Sequence, residues 1–137
     1  MSTPLLEKPA KTISKMFRLP NKIDDTPPQP PRVDSKLTQT LVLARKKVRN
    51  GWVQGRSYGP GNRVCAGYAI EESAREIKGH TPMANTLIAS ANSMLMTAVL
   101  AQTNQLFACI PDWNDRSDRT HAEVLCAFDL AIEMSRK

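Results

Sequence analysis

Aromatic side chains are scarce: three Phe, two Tyr and two Trp supply only 5% of the 137 residues. A core drawn from this composition is aliphatic and rich in alanine and methionine. Cysteine is equally sparse, with Cys65, Cys109 and Cys126 far apart, odd in number and lacking any Cys-x-x-Cys pair. That usage suits buried thiols in a reducing compartment better than a disulfide framework. No apolar run approaches the roughly 20 residues of a membrane span. Pro4, Lys8, Pro9 and Lys11 interrupt any secretory pattern at the amino terminus. With 41% hydrophobic residues, the chain has enough apolar material for one modest core. The expectation is a soluble intracellular protein.

Positive charge is not scarce, and it is unevenly placed within the net +6. Residues 1–33 hold six Lys/Arg against three Asp/Glu, and residues 34–70 hold seven against the single Asp34. Residues 71–137 reverse the balance, with six basic and nine acidic side chains. Such asymmetry marks either a polyanion-facing side or an internal match of a basic helix with acidic ones. Arg45, Lys46, Lys47, Arg49, Arg56 and Arg63 are the candidate polyanion-binding residues.

Residues 1–33 do not read as a domain. Seven of the ten prolines lie there, and PPQPP at 27–31 is a polyproline II candidate. Such a segment buries too little apolar surface to offset its ordering entropy, so it is expected to be disordered when free. Ile13, Met16, Phe17 and Leu19, together with Pro27, Pro28, Pro30 and Pro31, form a candidate partner-binding arm. A solvated linker is the plainer reading of the same residues.

Residues 34–137 read as four helices. The first begins after Asp34 or Ser35, presents Leu37, Leu41, Ala44 and Val48, with Val42 and Leu43 widening the stripe, and stops at Asn50-Gly51 as at a left-handed cap. Its basic last turns complement the helix dipole, which accounts for the cluster without any ligand. In WVQGRSYGPGNRV at 52–64, Trp52-Val53 and Arg63-Val64 can pair as a short hairpin. A phosphate-cradling loop is the sharper reading, but the glycine spacing fits neither phosphate-binding pattern. Arg56, Arg63, Trp52 and Tyr58 also supply cations and stacking rings, the ingredients of a single-strand binder. The second helix spans Cys65 to Lys78 with Ala66, Ala69, Ile70, Ala74 and Ile77 inward. Gly79 ends it, and Gly67 predicts a close approach to another backbone. Thr81 and Pro82 start the third helix, whose stripe is Leu87, Ile88, Ala91, Met94, Leu95, Ala98 and Val99, with Asn85, Asn92 and Asn104 outward. Phe107 to Pro111 forms a connection, and Trp113 plugs the core. Asn114, Asp115, Ser117 and Asp118 are turn formers leading to the last helix. That helix opens with Thr120 and Glu123 three apart, a capping box, and carries Val124, Leu125, Phe128, Ala131 and Ile132 on one stripe.

These residues add up to a resemblance. Asn50-Gly51-Trp52, Val64-Cys65-Ala66-x-Tyr68-Ala69, Trp113-Asn114-Asp115 and Arg119-Thr120-x-x-Glu123-Val124 resemble a domain-of-unknown-function family of small bacterial and bacteriophage proteins. The likeness covers about residues 37–133 and departs from the usual pattern at Tyr68, where members have Gly. It implies a compact helical domain of bacterial or phage origin, and no mechanism.

An enzyme reading would take Cys65 as a nucleophile with a depressed pKa at a helix start, His121 as its base and Asn114 or Asp115 as the orienting group. Against it, Cys65 opens an alanine-rich packing segment, and His121 sits exposed in the capping box. Cys65, His80 and His121 match no zinc spacing, and Asp112, Asp115 and Asp118 lack the glycine and terminal glutamate of a calcium loop. No metal and no cofactor is expected. The overall expectation is an all-α four-helix domain with a short glycine-rich turn or hairpin after the first helix and an extended arm. Its expected work is non-enzymatic: the arm lies on a protein partner in a larger assembly, in the bacterial cytoplasm or a virion. A nucleic-acid binder using 45–63 is the alternative, a cysteine-dependent enzyme the remote one, and no membrane is involved.

Overall fold

The computed structural model describes residues 33–137, which form one compact unit. The arm residues Ile13, Met16, Phe17, Leu19, Pro27, Pro28, Pro30 and Pro31 lie outside the described residues. Helix α1 spans Lys36–Asn50, capped by the Ser35 side chain, which accepts the Thr38 N–H at 3.1 Å. Leu41, Ala44 and Val48 are fully buried, whereas Val42 is exposed, so the stripe is narrower than its sequence implies. Gly51 ends α1 with a φ of 169°, extended and not left-handed as expected. What the position requires is space: a Cβ there would stand 2.8 Å from Arg63 Cγ and 3.3 Å from Arg63 Cα.

Strand β1 (Tyr58–Gly59) and strand β2 (Arg63–Val64) pair antiparallel around a tight turn at Pro60–Asn62. Gly61 and Asn62 adopt positive φ there, the residue types that tolerate it best. The hairpin therefore closes inside the expected loop. Trp52 instead forms a parallel bridge on the other edge of Val64, with Val53 N–H donating to the Val64 carbonyl and Val64 N–H to that of Gly51.

Helix α2 (Ala66–Lys78) starts one residue later than predicted, because Cys65 is its cap, and Gly79 ends it at a φ of 69°. Gly67 meets only the Ile110 side chain, at 3.7 Å, so no backbone crowds it. Helix α3 (Pro82–Thr103) starts at the Thr81 cap and buries Leu87, Ala91, Leu95, Ala98 and Val99 as its periodicity predicts. Asn104 is its left-handed cap and not a continuation of its outer face. With 22 residues and no charged side chain, α3 is long and apolar enough to cross a membrane by length and composition. Interspersed Asn, Ser and Thr divide its sequence into short apolar runs. The expected connection holds a short helix, α4 (Ile110–Asn114), and Trp113, its fourth residue, is 1% exposed and closes one end of the core. Helix α5 (His121–Ser135) opens with the reciprocal capping box of Thr120 and Glu123.

Helix α1 packs on α2 and α5, and α3 packs on the same pair from another side. The result is all-α, with four long helices, one short helix and a two-stranded hairpin among the described residues. Small side chains at Ala44, Ala69, Ala91, Ala98, Ala127 and Ala131 let the helices approach, while Trp113 and Phe128 fill the remaining width. Asp34 and Arg136 pair through two hydrogen bonds of 2.9 and 3.0 Å, and Thr38 Oγ1 lies 2.7 Å from Ser135 Oγ. These contacts join the beginning of α1 to the end of α5.

Candidate functional site

Asn114, at the end of α4, is fully buried and holds a hydrogen-bond network of its own. Its Oδ1 accepts from Trp52 Nε1–H at 2.8 Å and from the Ala66 backbone N–H at 3.0 Å. Its Nδ2 donates to the Val53 carbonyl at 3.2 Å and to Asp115 Oδ1 at 2.8 Å. Gln54 Nε2–H reaches the Asn114 carbonyl, and Asp115 Oδ1 also accepts the Gly55 N–H. One side chain thus joins the loop after α1, the start of α2 and the end of α4. The four contacts match both lone pairs and both hydrogens of the amide, so Asn114 has no free valence to offer a ligand.

The proposed nucleophile and base are engaged in the same framework. Cys65 is buried, and its Sγ accepts the Tyr68 N–H at 3.3 Å. Burial pushes its thiol pKa up, outweighing the backbone N–H contacts that pull it down, and Asp115 adds to the rise. The expected depression is therefore reversed, because desolvation outweighs the helix start. His121 is half-buried and not exposed: Nε2–H donates to the Val48 carbonyl at 2.7 Å, and the ring stacks on Trp52 at 5.8 Å. No hydrogen bond joins Cys65 to His121 among the described residues. Cys109 and Cys126 are exposed, contrary to the expectation of buried thiols.

Beside this framework lies an open groove of about 720 Å³ between α1, the hairpin and α2. Lys47 comes from α1, Arg56 and Arg63 from the hairpin region, and Tyr68 and Glu72 from α2. Tyr58 is 60% exposed and meets Tyr68 edge-on, with ring centres 5.3 Å apart. Lys47 pairs with Glu72 and Glu76. Burial works against its charge, yet the two carboxylates prevail and raise its pKa. Arg56 has no ion-pair partner among the described residues. Arg63 is likewise outside any described ion pair, with Nε donating to the Pro60 carbonyl at 3.1 Å. The arrangement can hold an anionic ligand against two guanidinium groups and an exposed ring.

The structure divides the six candidate polyanion-binding residues. Lys47, Arg56 and Arg63 line the groove, Arg45 pairs with Asp129 of α5, and Lys46 and Arg49 are simply exposed. The internal match of basic α1 with acidic helices thus accounts for Arg45 and Lys47. Tyr68 joins the groove although the sequence offered it only as a helix residue. Its position three residues after Cys65, on the α2 turn facing the hairpin, was the available signal. Thr120 and Glu123 stand where the capping box places them.

Residues 34–134 match the profile of a family of unknown function, DUF6197. The chain belongs to that family. No curated protein and no solved structure matches the chain. Within this member, Trp52, Cys65, Ala66, Asn114, Asp115, Arg119, Thr120 and Glu123 all take part in internal hydrogen bonds. These eight residues of the resemblance therefore maintain the fold, while Asn50, Val64 and Tyr68 line the groove.

Proposed function

We propose that the chain is a non-enzymatic binding component of a larger assembly, whose helical domain docks through the groove of Lys47, Arg56, Arg63, Tyr58 and Tyr68. The single observation that carries this reading is the contrast between two neighbouring regions. The Asn114 framework is closed and hydrogen-bonded within itself, whereas the groove presents to solvent the exposed Tyr58 and Arg56, which stands outside the ion pairs among the described residues. Proline-rich residues 1–33 supply a second contact, laid along the same protein partner. The bacterial and phage character of the resemblance supports a virion or host-cell complex as that assembly.

A second reading makes the partner single-stranded nucleic acid, favoured by two arginines beside an exposed tyrosine. Sedimentation of the native protein from its source, with and without nuclease, separates the two. Nuclease-resistant co-sedimentation with a large particle is the expected result. Release by nuclease hands the groove to the second reading, and a protein that stays small in both runs overturns both. Arg56→Glu alters an exposed side chain, so its loss of co-sedimentation reports on the groove and not on folding.

A further inference from the structure

No residue of α3 carries a charge, over 22 residues of a chain that is 23% charged. The buried stripe explains only one side of that helix. On the opposite side Met83, Thr86, Ser90, Ser93, Thr97 and Leu100 are all exposed, Met83 by 55% and Leu100 by 39%. Their spacing alternates three and four residues, the repeat that keeps one seam in register with a neighbouring helix. The seam also reads the same from both ends: a large apolar residue, Thr and Ser, then Ser, Thr and a large apolar residue. Both threonines turn their hydroxyls back to the carbonyl four residues earlier, Thr86 to Pro82 at 3.2 Å and Thr97 to Ser93 at 2.8 Å. Their bond to the backbone is made, which leaves the methyl groups to the surface.

An isologous two-fold contact between antiparallel helices places residue i of one copy opposite residue j of the other, with i and j equidistant from the midpoint. About a midpoint between Ala91 and Asn92, Met83 meets Leu100, Thr86 meets Thr97, and Ser90 meets Ser93. Every layer is matched in size and chemistry, and the small central layers allow close backbone approach. Depletion of charge and enrichment of methionine mark interface cores, and Met94 and Met96 flank this seam half-buried. We propose that two copies of this chain associate through α3, antiparallel, along that seam.

Sedimentation equilibrium of the full chain, at concentrations up to roughly 1 mM, tests the proposal. The mass is expected to rise from 15.2 kDa toward twice that value with concentration. Ser90→Lys, at an exposed position, is expected to weaken the dimer at least about tenfold, with circular dichroism unchanged. Adding Ser93→Glu restores it, because the antiparallel register brings opposite charges face to face. A chain that remains monomeric throughout overturns the proposal, as does a dimer indifferent to Ser90→Lys. Failure of the double variant to restore the dimer overturns the antiparallel register. Flotation of a monomer with phosphatidylcholine vesicles, lost in Ser90→Lys, gives the face to a bilayer instead.

Discussion

Asn114 shows how much one amide can hold. Replacing it with alanine leaves the Trp52 indole, the Ala66 N–H and the Val53 carbonyl without partners in a buried setting. At about 1–3 kcal/mol for each buried group left unsatisfied, partly relieved by entering water, Asn114→Ala is expected to cost about 3 kcal/mol in urea unfolding. Nothing local in the sequence announces this role. Asn114 reads as a turn former because its partners lie 48 to 62 positions away. Cys65 provides the matching prediction for pH. Its folded pKa stands above the ordinary 9.0, so the unfolded thiol ionises first. Its stabilising contribution is complete below 9.0 and disappears as pH rises through the folded value. Lys47, raised above 10.5, acts in the same direction at higher pH. Denaturant midpoints measured across pH 8 to about 11 should fall, and Cys65→Ala should flatten the first part of that decline. Iodoacetamide should label Cys109 and Cys126 well before Cys65 in the native protein, because only Cys65 is buried.

At the scale of elements, periodicity and caps carried the reading furthest. The capping box fixes the start of α5, and Thr120→Ala is expected to cost about 1 kcal/mol, visible as a lower midpoint of thermal unfolding. Thr81, Pro82 and Gly79 bounded α2 and α3 for the same reason: each signal acts within a few residues of the boundary it sets. Pairing across the hairpin was less legible. Trp52-Val53 and Tyr58-Gly59 are both plausible partners for Arg63-Val64, and β2 is bordered by both. The sequence pattern offered one partner for a strand that has two edges. Gly51 departs from its expected geometry for a related reason, since a stop signal does not distinguish a left-handed turn from a close contact with Arg63. Gly51→Ala should therefore displace Arg63 and reshape the groove more than it destabilises α1, a change measurable by amide shifts in residues 58–64.

Over the whole molecule, charge is placed with a division of labour. Arg45 and Lys47 bind α1 to its acidic neighbours, leaving Arg56 and Arg63 outside the described ion pairs at the hairpin. Composition revealed the asymmetry, but only the packing of α1 against α2 and α5 separates internal charges from available ones. Deleting residues 1–33 is expected to leave the melting of the helical domain nearly unchanged while abolishing incorporation into the assembly. Retained incorporation after that deletion would remove the arm from the proposed function.

The clasp of Asp34 on Arg136, with Thr38 on Ser135, has a topological consequence. Both ends of the helical domain lie side by side, so the domain is close to a ring with a single opening. A short Gly/Ser linker from Lys137 back to Asp34 would close that ring, and a new opening at the exposed Pro60–Asn62 turn would cut none of the five α-helices. Such a circular permutant should fold with the same five helices. The same nearness means that the domain can sit within a longer chain as a side loop, adding its groove without lengthening the path between its neighbours.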